Sequence, residues 1–268
     1  MTETASGNTT SWTYDYRGRV ASETKTLASL TFRTDYAYRP DDQPVRLTYP
    51  DGETVTTRYN AQGRPDALAN TGDEFSGVPL TTYISQASYN PIGQALTITD
   101  GAGVVTQYGY HPLTQRLTSL TAPGKLNLTY EYDPAGSVKT ITDSGAQAVF
   151  AYDAFDRLKT ASGAFTASYN YSDIGNLQTR QEAGAPLTLT YPAVGVRPAH
   201  APQQVAGVMQ QYDANGNLVN DGRRAFTYDA ANRLTQVISG TLTTRFTYDG
   251  DGQLVMRETA AGRTLYIG

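Results

Sequence analysis

Cysteine is absent from the chain, which excludes disulfides and thiolate metal sites and leaves the redox compartment open. Histidine is scarce: His111 and His200 are far apart, and neither stands at metal-ligand spacing from another ligand. The 21 basic residues are outnumbered by 25 acidic ones and form no long run, so duplex nucleic acid is not an expected partner. No apolar stretch approaches the ~20 residues that a spanning helix needs. Residues 1–11 lack the basic and apolar pattern of a signal peptide and read as a frayed polar lead-in. No phosphate-cradling glycine loop, G-x-S-x-G or H-E-x-x-H is present. No cofactor, metal site or catalytic residue is therefore assigned.

What the chain has in abundance is tyrosine, 20 against 7 phenylalanines. Eleven of these tyrosines head a repeated phrase: Tyr14, Tyr38, Tyr59, Tyr89, Tyr110, Tyr132, Tyr152, Tyr171, Tyr212, Tyr228 and Tyr248. The clearest copy is Tyr-Asp-Pro-Ala-Gly-Ser-Val, residues 132–138. A unit of about twenty residues said this often is an array.

Each position of the phrase has a physical reason. Eight copies place Asp or Asn after the tyrosine, a side chain that accepts backbone N–H groups and opens a turn. Four residues after the tyrosine come Gly18, Gly63, Gly93, Gly136, Gly175, Gly216 and Gly252, with Asp42, Asp156 and Asn232 in three other copies. These residue types suit a type I turn followed by a residue of positive φ, the bulged hairpin connection. Only the Tyr110 copy, longer by one residue, breaks this rule. An aromatic two residues before the tyrosine (Trp12, Tyr36, Tyr108, Tyr130, Phe150, Tyr169, Phe226, Phe246) puts two rings on one strand face. Glycine turns such as Asp51-Gly52, Gly145 and Asp221-Gly222 close the units. Each repeat is therefore expected to be one β-hairpin, and the chain all-β.

About 22 strands spaced ~4.8 Å apart would make a flat sheet roughly 105 Å wide. Open sheets rarely pass about ten strands without curling, so a long coiling antiparallel sheet is expected, with tyrosine rings packed along it. Two intervals break the rhythm. Residues 71–80 read as a surface loop, and the 41 residues from Tyr171 to Tyr212 hold Pro192, Pro198 and Pro202. Proline disfavours a central strand, so 191–210 is expected to be irregular, with Tyr191 heading a worn repeat. The expected division is thus a lead-in, 1–11, and one repeat array, 12–268.

Weaker motifs yield to plainer readings. Residues 213–221 place Asp213, Asn215 and Asn217 like a calcium loop, but Leu218 and Arg224 stand where that loop needs Gly and Glu. The segment reads as another turn. Asn127-Leu128-Thr129 fits a glycosylation pattern but falls inside an expected strand.

The phrases resemble the YD repeats of Rhs proteins, of the C subunits of insecticidal toxin complexes, and of teneurins. The resemblance runs from about Trp12 to Gly268. Its most specific part is RPAHAPQQVAG (197–207) followed by YDANGNLVNDGRRAFTYDAANRLTQV. It implies a hollow β-shell around a C-terminal effector, with motif tyrosines and turn glycines as architecture rather than chemistry. It also implies a secreted or cell-surface role within a larger bacterial protein. The expected partners are an effector segment or other shell strands. The self-cleaving aspartates that follow the repeats in such families have no match after Tyr266. A teneurin-like adhesion or recognition module is the alternative. The strand ending in Tyr266 and Ile267 is apolar and without proline, so self-association through that edge is expected.

Overall fold

The computed structural model describes residues 2–5, 8–71, 81–182, 184–193, 195, 196 and 198–267. Among them there is no helix, and strands joined by turns make up the fold.

The strand Leu126–Tyr132 shows why these sequences fold as they do. Its residues alternate half-buried and exposed without a break, the period of a strand with one covered face. It pairs antiparallel with Val138–Asp143, from Leu128 opposite Asp143 to Glu131 opposite Thr140. The register then slips, so that Tyr132 faces Val138. The cause is the turn: Gly136 N–H donates to the Asp133 carbonyl (3.0 Å) and Asp133 N–H to the Ser137 carbonyl (2.9 Å). This is a type I turn followed by a bulge, and Gly136 sits at φ 102°.

The chain forms two compact units. The first contains residues 10–26 and 30–148. Its main body is a meander of antiparallel strands: Leu30–Tyr38, Pro44–Thr48, Thr54–Tyr59, Pro65–Asn70, Thr81–Tyr89, Ala95–Asp100, Val105–Tyr110, Leu117–Ala122, Leu126–Tyr132 and Val138–Asp143. The second unit contains residues 149–268 with two short upstream pieces. In it, Leu158–Gly163, Ala167–Tyr171, Leu177–Gln181, Leu187–Thr190, Gln204–Val205 and Val208–Met209 pair in succession. A seven-stranded sheet follows, from Gln211–Tyr212 to Gly262–Leu265. These are tandem hairpins in long antiparallel sheets.

Among the described residues few apolar side chains are buried: Leu27, Ala122, Ala148, Ala161, Ala167 and Val255. Four of the six are alanines, so most of the stabilisation must come from contacts between neighbouring strands rather than from a packed centre.

The lead-in and the two intervals that break the rhythm differ in outcome. The strand Asn8–Tyr14 begins upstream of Trp12, inside the expected lead-in, with Asn8 and Thr10 buried. The loop at 71–80 lies, apart from Thr71, outside the described residues. Between Tyr191 and Gln210 the described residues are mostly irregular, interrupted by two strands of two residues each. The register slip recurs before Tyr38, Tyr59, Tyr89, Tyr110, Tyr132, Tyr171, Tyr212, Tyr228 and Tyr248.

Candidate functional site

The repeated phrase builds one device many times. It begins at the residue after the tyrosine. Asp15 Oδ1 accepts the N–H groups of Arg17 (2.8 Å) and Arg19 (3.0 Å), which closes the turn from inside. Asn60, Asp153, Asp213 and Asp229 do the same in their copies. The fourth place then adopts positive φ. Gly18, Gly63, Gly93, Gly136, Gly175, Gly216 and Gly252 fall between 74° and 102°, and Asp42, Asp156 and Asn232 between 57° and 66°. In the longer Tyr110 copy Gln115 takes that conformation, at φ 57°.

The tyrosine hydroxyl ties each hairpin to the one before. In the first unit Tyr38 donates to the carbonyl of Val20 (2.9 Å), Tyr59 to Pro44 (2.6 Å) and Tyr89 to Pro65 (2.6 Å). Tyr110 donates to Ala95 (2.9 Å) and Tyr132 to Leu117 (2.7 Å). In the second unit Tyr171 reaches Leu158 (3.1 Å), Tyr191 reaches Leu177 (3.0 Å) and Tyr212 reaches Pro202 (2.9 Å). Tyr228 and Tyr248 reach Leu218 (3.0 Å) and Leu234 (2.8 Å). Except for Pro202, the acceptor opens the strand just after the preceding copy's turn, and Pro44, Pro65, Ala95, Leu117, Leu177, Leu218 and Leu234 each face the preceding tyrosine. Tyr14 heads the series at 49% exposure, and the others named here are half-buried. Burial pushes the Tyr59, Tyr110, Tyr191, Tyr212 and Tyr248 hydroxyls above their usual range, so they hold their protons as donors.

Ring-on-ring packing along the tyrosine row, expected from the sequence, is not how these copies meet. Consecutive motif tyrosines are separated by an intervening strand, roughly 9.6 Å in all, beyond the ~4.5–7 Å of an aromatic pair. A ring pair does occur between Phe150 and Phe165, with centroids 6.1 Å apart.

Arginine fills the gap, and the sequence reading passed it over. Arg19, Arg64, Arg157 and Arg233 stand five residues after their tyrosines, and Arg116 takes the equivalent place in the longer copy. The guanidinium lies over the next copy's ring: Arg19 over Tyr38 (4.7 Å), Arg64 over Tyr89 (5.7 Å), Arg116 over Tyr132 (5.6 Å). Arg157 covers Tyr171 (4.6 Å) and Arg233 covers Tyr248 (5.1 Å); Arg39, from a different position, covers Tyr59 (5.0 Å). Four of these arginines also donate to the carbonyl after the next tyrosine, at Arg39, Asn90, Ser172 and Asp249.

Their own turn aspartate holds three of them, through Asp15, Asp153 and Asp229 at 2.6–2.8 Å. Burial pushes the Asp15 carboxyl up, but Arg19 and the N–H groups of the turn together bring it below the usual carboxylate range. The Arg157 side chain does the same for Asp153, and the Arg233 N–H leads the effect at Asp229. The recurring arginine five places after tyrosine was the signal in the sequence that would have found this latch.

Where arginine is missing, amides substitute. Gln43 donates to the Gly63 carbonyl (2.9 Å), Gln94 to Gln115 (2.8 Å) and Asn176 to Ala199 (2.8 Å). His111 replaces the turn aspartate, its Nδ1 accepting from Leu113 and Thr114 N–H, and His200 Nδ1 lies 2.7 Å from Asn176 Oδ1. Asp213 caps its turn and accepts from the Asn217 amide at 3.0 Å. Among the described residues no group of three or more His, Asp or Glu stands where it would hold a metal ion.

The teneurin YD-shell family model matches residues 141–267 and the RHS repeat model matches 89–126. A double-stranded DNA deaminase toxin A from Burkholderia cenocepacia (strain H111) is 28% identical over 155 residues, covering 58% of this chain and 8% of that protein. Among solved structures, a TcdB2-TccC3-Cdc42 complex superposes with a TM-score of 0.85 at 19% identity, covering 97% of this chain and 16% of that one. The Tc holotoxin pore of Photorhabdus luminescens gives 0.84 at 17% identity, again covering 97% and 16%. The chain thus spans a small fraction of the proteins it matches, and nearly all of it shares the fold of the matched part of those solved structures. Both repeat models fall on stretches of the chain in which the latches described above recur.

Proposed function

We propose that the chain is a shell segment of a larger, secreted, toxin-like bacterial protein. It encloses a C-terminal effector and performs no chemistry of its own. The observation that carries this reading is the tyrosine and arginine latch. It spends the recurring polar groups of the motif on joining one hairpin to the next. The toxin relatives named above, and the small share of them that this chain covers, support the same reading. Residues 12–268 then act as one array, in which the motif tyrosines and turn glycines are architectural. An adhesion module is the alternative, and it calls for motif tyrosines clustered and exposed, whereas all those described beyond Tyr14 are half-buried.

Limited proteolysis of the longer protein that carries this chain tests the proposal. The segment following the repeats should survive protease in the wild type. It should become digestible when Tyr132→Ala and Tyr248→Ala loosen the hairpins. Equal digestion in both proteins would overturn the enclosure. The strand Gly262–Leu265 carries the self-association part of the proposal. Sedimentation velocity over a wide concentration range should show larger species, reduced by Leu265→Lys.

A further inference from the structure

Several steps of the array lack the covering arginine, and the one from Tyr171 to Tyr191 leaves a cavity beside the bare ring. Arg157 lies over the Tyr171 ring and bonds the Ser172 carbonyl. In the next copy the equivalent residue is Asn176, too short to reach over Tyr191. Its amide is turned instead toward the Ala199 carbonyl and His200. Among the described residues no guanidinium covers Tyr191. What remains is a cavity of about 670 Å³ within the second unit, lined in part by Tyr191, Asp173, Ile174, Leu189, Pro192 and His200.

We propose that this cavity binds the arginine side chain of a peptide segment, supplying from outside the guanidinium that the preceding repeat supplies from within. The chemistry on its walls fits that occupant. Tyr191 offers an aromatic face, which attracts a planar guanidinium more specifically than a compact ammonium. Asp173 is the carboxylate among the described lining residues, and those residues include no lysine or arginine to repel a cation. The volume exceeds a single guanidinium, leaving room for flanking residues against Leu189 and Ile174, itself 51% exposed.

The test is an NMR titration of the chain with the blocked tripeptide Gly-Arg-Gly, read at the Ile174 methyl and Tyr191 ring. Parallel titrations use the citrulline and lysine versions. Each is repeated on Arg197→Ala, so that an arginine of the chain itself does not compete. The arginine peptide should saturate the site and bind at least about tenfold more tightly than citrulline, the effect of removing a desolvated cation–π charge. Tyr191→Phe should keep binding and Tyr191→Leu should lose it. Asn176→Arg, checked for fold by circular dichroism, should close the site. Equal binding of arginine and citrulline peptides would overturn the proposal. So would binding by Tyr191→Leu like the wild type, or no saturable binding to either the wild type or Arg197→Ala.

Discussion

Two consecutive steps in the second unit show which part of the latch is essential. From Tyr152 to Tyr171 the device is complete: Asp153 caps the turn, holds Arg157, and Arg157 covers Tyr171. From Tyr171 to Tyr191 the aspartate has become Ser172 and the arginine Asn176. Yet Ser172 Oγ still accepts the Asn176 N–H at 3.1 Å, and Tyr191 still donates to Leu177 at 3.0 Å. The turn and the hydroxyl bond persist without the cation. Hairpin stacking therefore rests on backbone geometry and the tyrosine hydroxyl, and the arginine is an addition to it.

The largest effect should come from the part both steps share. Gly175 sits at φ 88°, and an added Cβ would meet only the Arg157 side chain, at 3.9 Å, so Gly175→Val acts chiefly through backbone strain. It should cost about 2 kcal/mol, seen as a lower midpoint in urea unfolding. Wild-type stability would show that this turn tolerates an ordinary side chain.

Next come the hydroxyls. Tyr171→Phe and Tyr191→Phe should each cost about 1 kcal/mol, the usual worth of one such hydrogen bond. Equal losses would sharpen the comparison; a loss at Tyr171 alone would mean the open step is not held by its hydroxyl.

Arg157→Ala should cost less, about 0.5–1 kcal/mol for a partly exposed cation over a ring. High salt should shrink the difference from wild type, since screening weakens the Asp153 pair.

The smallest effect is pH dependence confined to the complete step. Asp153 is held below its ordinary value, first by Arg157. A depressed carboxylate pKa contributes stability above the unfolded value of ~3.9 and loses it as pH falls through the folded value. The fall in melting temperature between pH 6 and pH 3 should therefore be smaller in Asp153→Ser, which mimics the open step. An unchanged fall would place acid sensitivity elsewhere, with Asp15, Asp213, Asp221 and Asp229 the next to test.

Much of this was written in the sequence because it is local. A turn of Tyr-Asp-x-x-Gly needs only its own six or seven residues, so Asp133, Gly136 and their equivalents announce the hairpin wherever they occur. Alternation along Leu126–Tyr132 likewise announces a strand. Glycine at the bulge was readable for the same reason, and even Asp42, Asp156 and Asn232 at that place follow from which side chains tolerate positive φ. What the tertiary structure alone decided is how one copy grips the next. The strand lying between consecutive tyrosines keeps their rings apart, so Tyr132 bonds Leu117 rather than another ring, and Arg116 reaches across from the preceding hairpin. Those partners lie about fifteen residues away in sequence, and only the pairing of strands brings them together. The opening at Tyr191 is of the same kind: the short Asn176 stands out only when Arg157 is seen over Tyr171 in the step before.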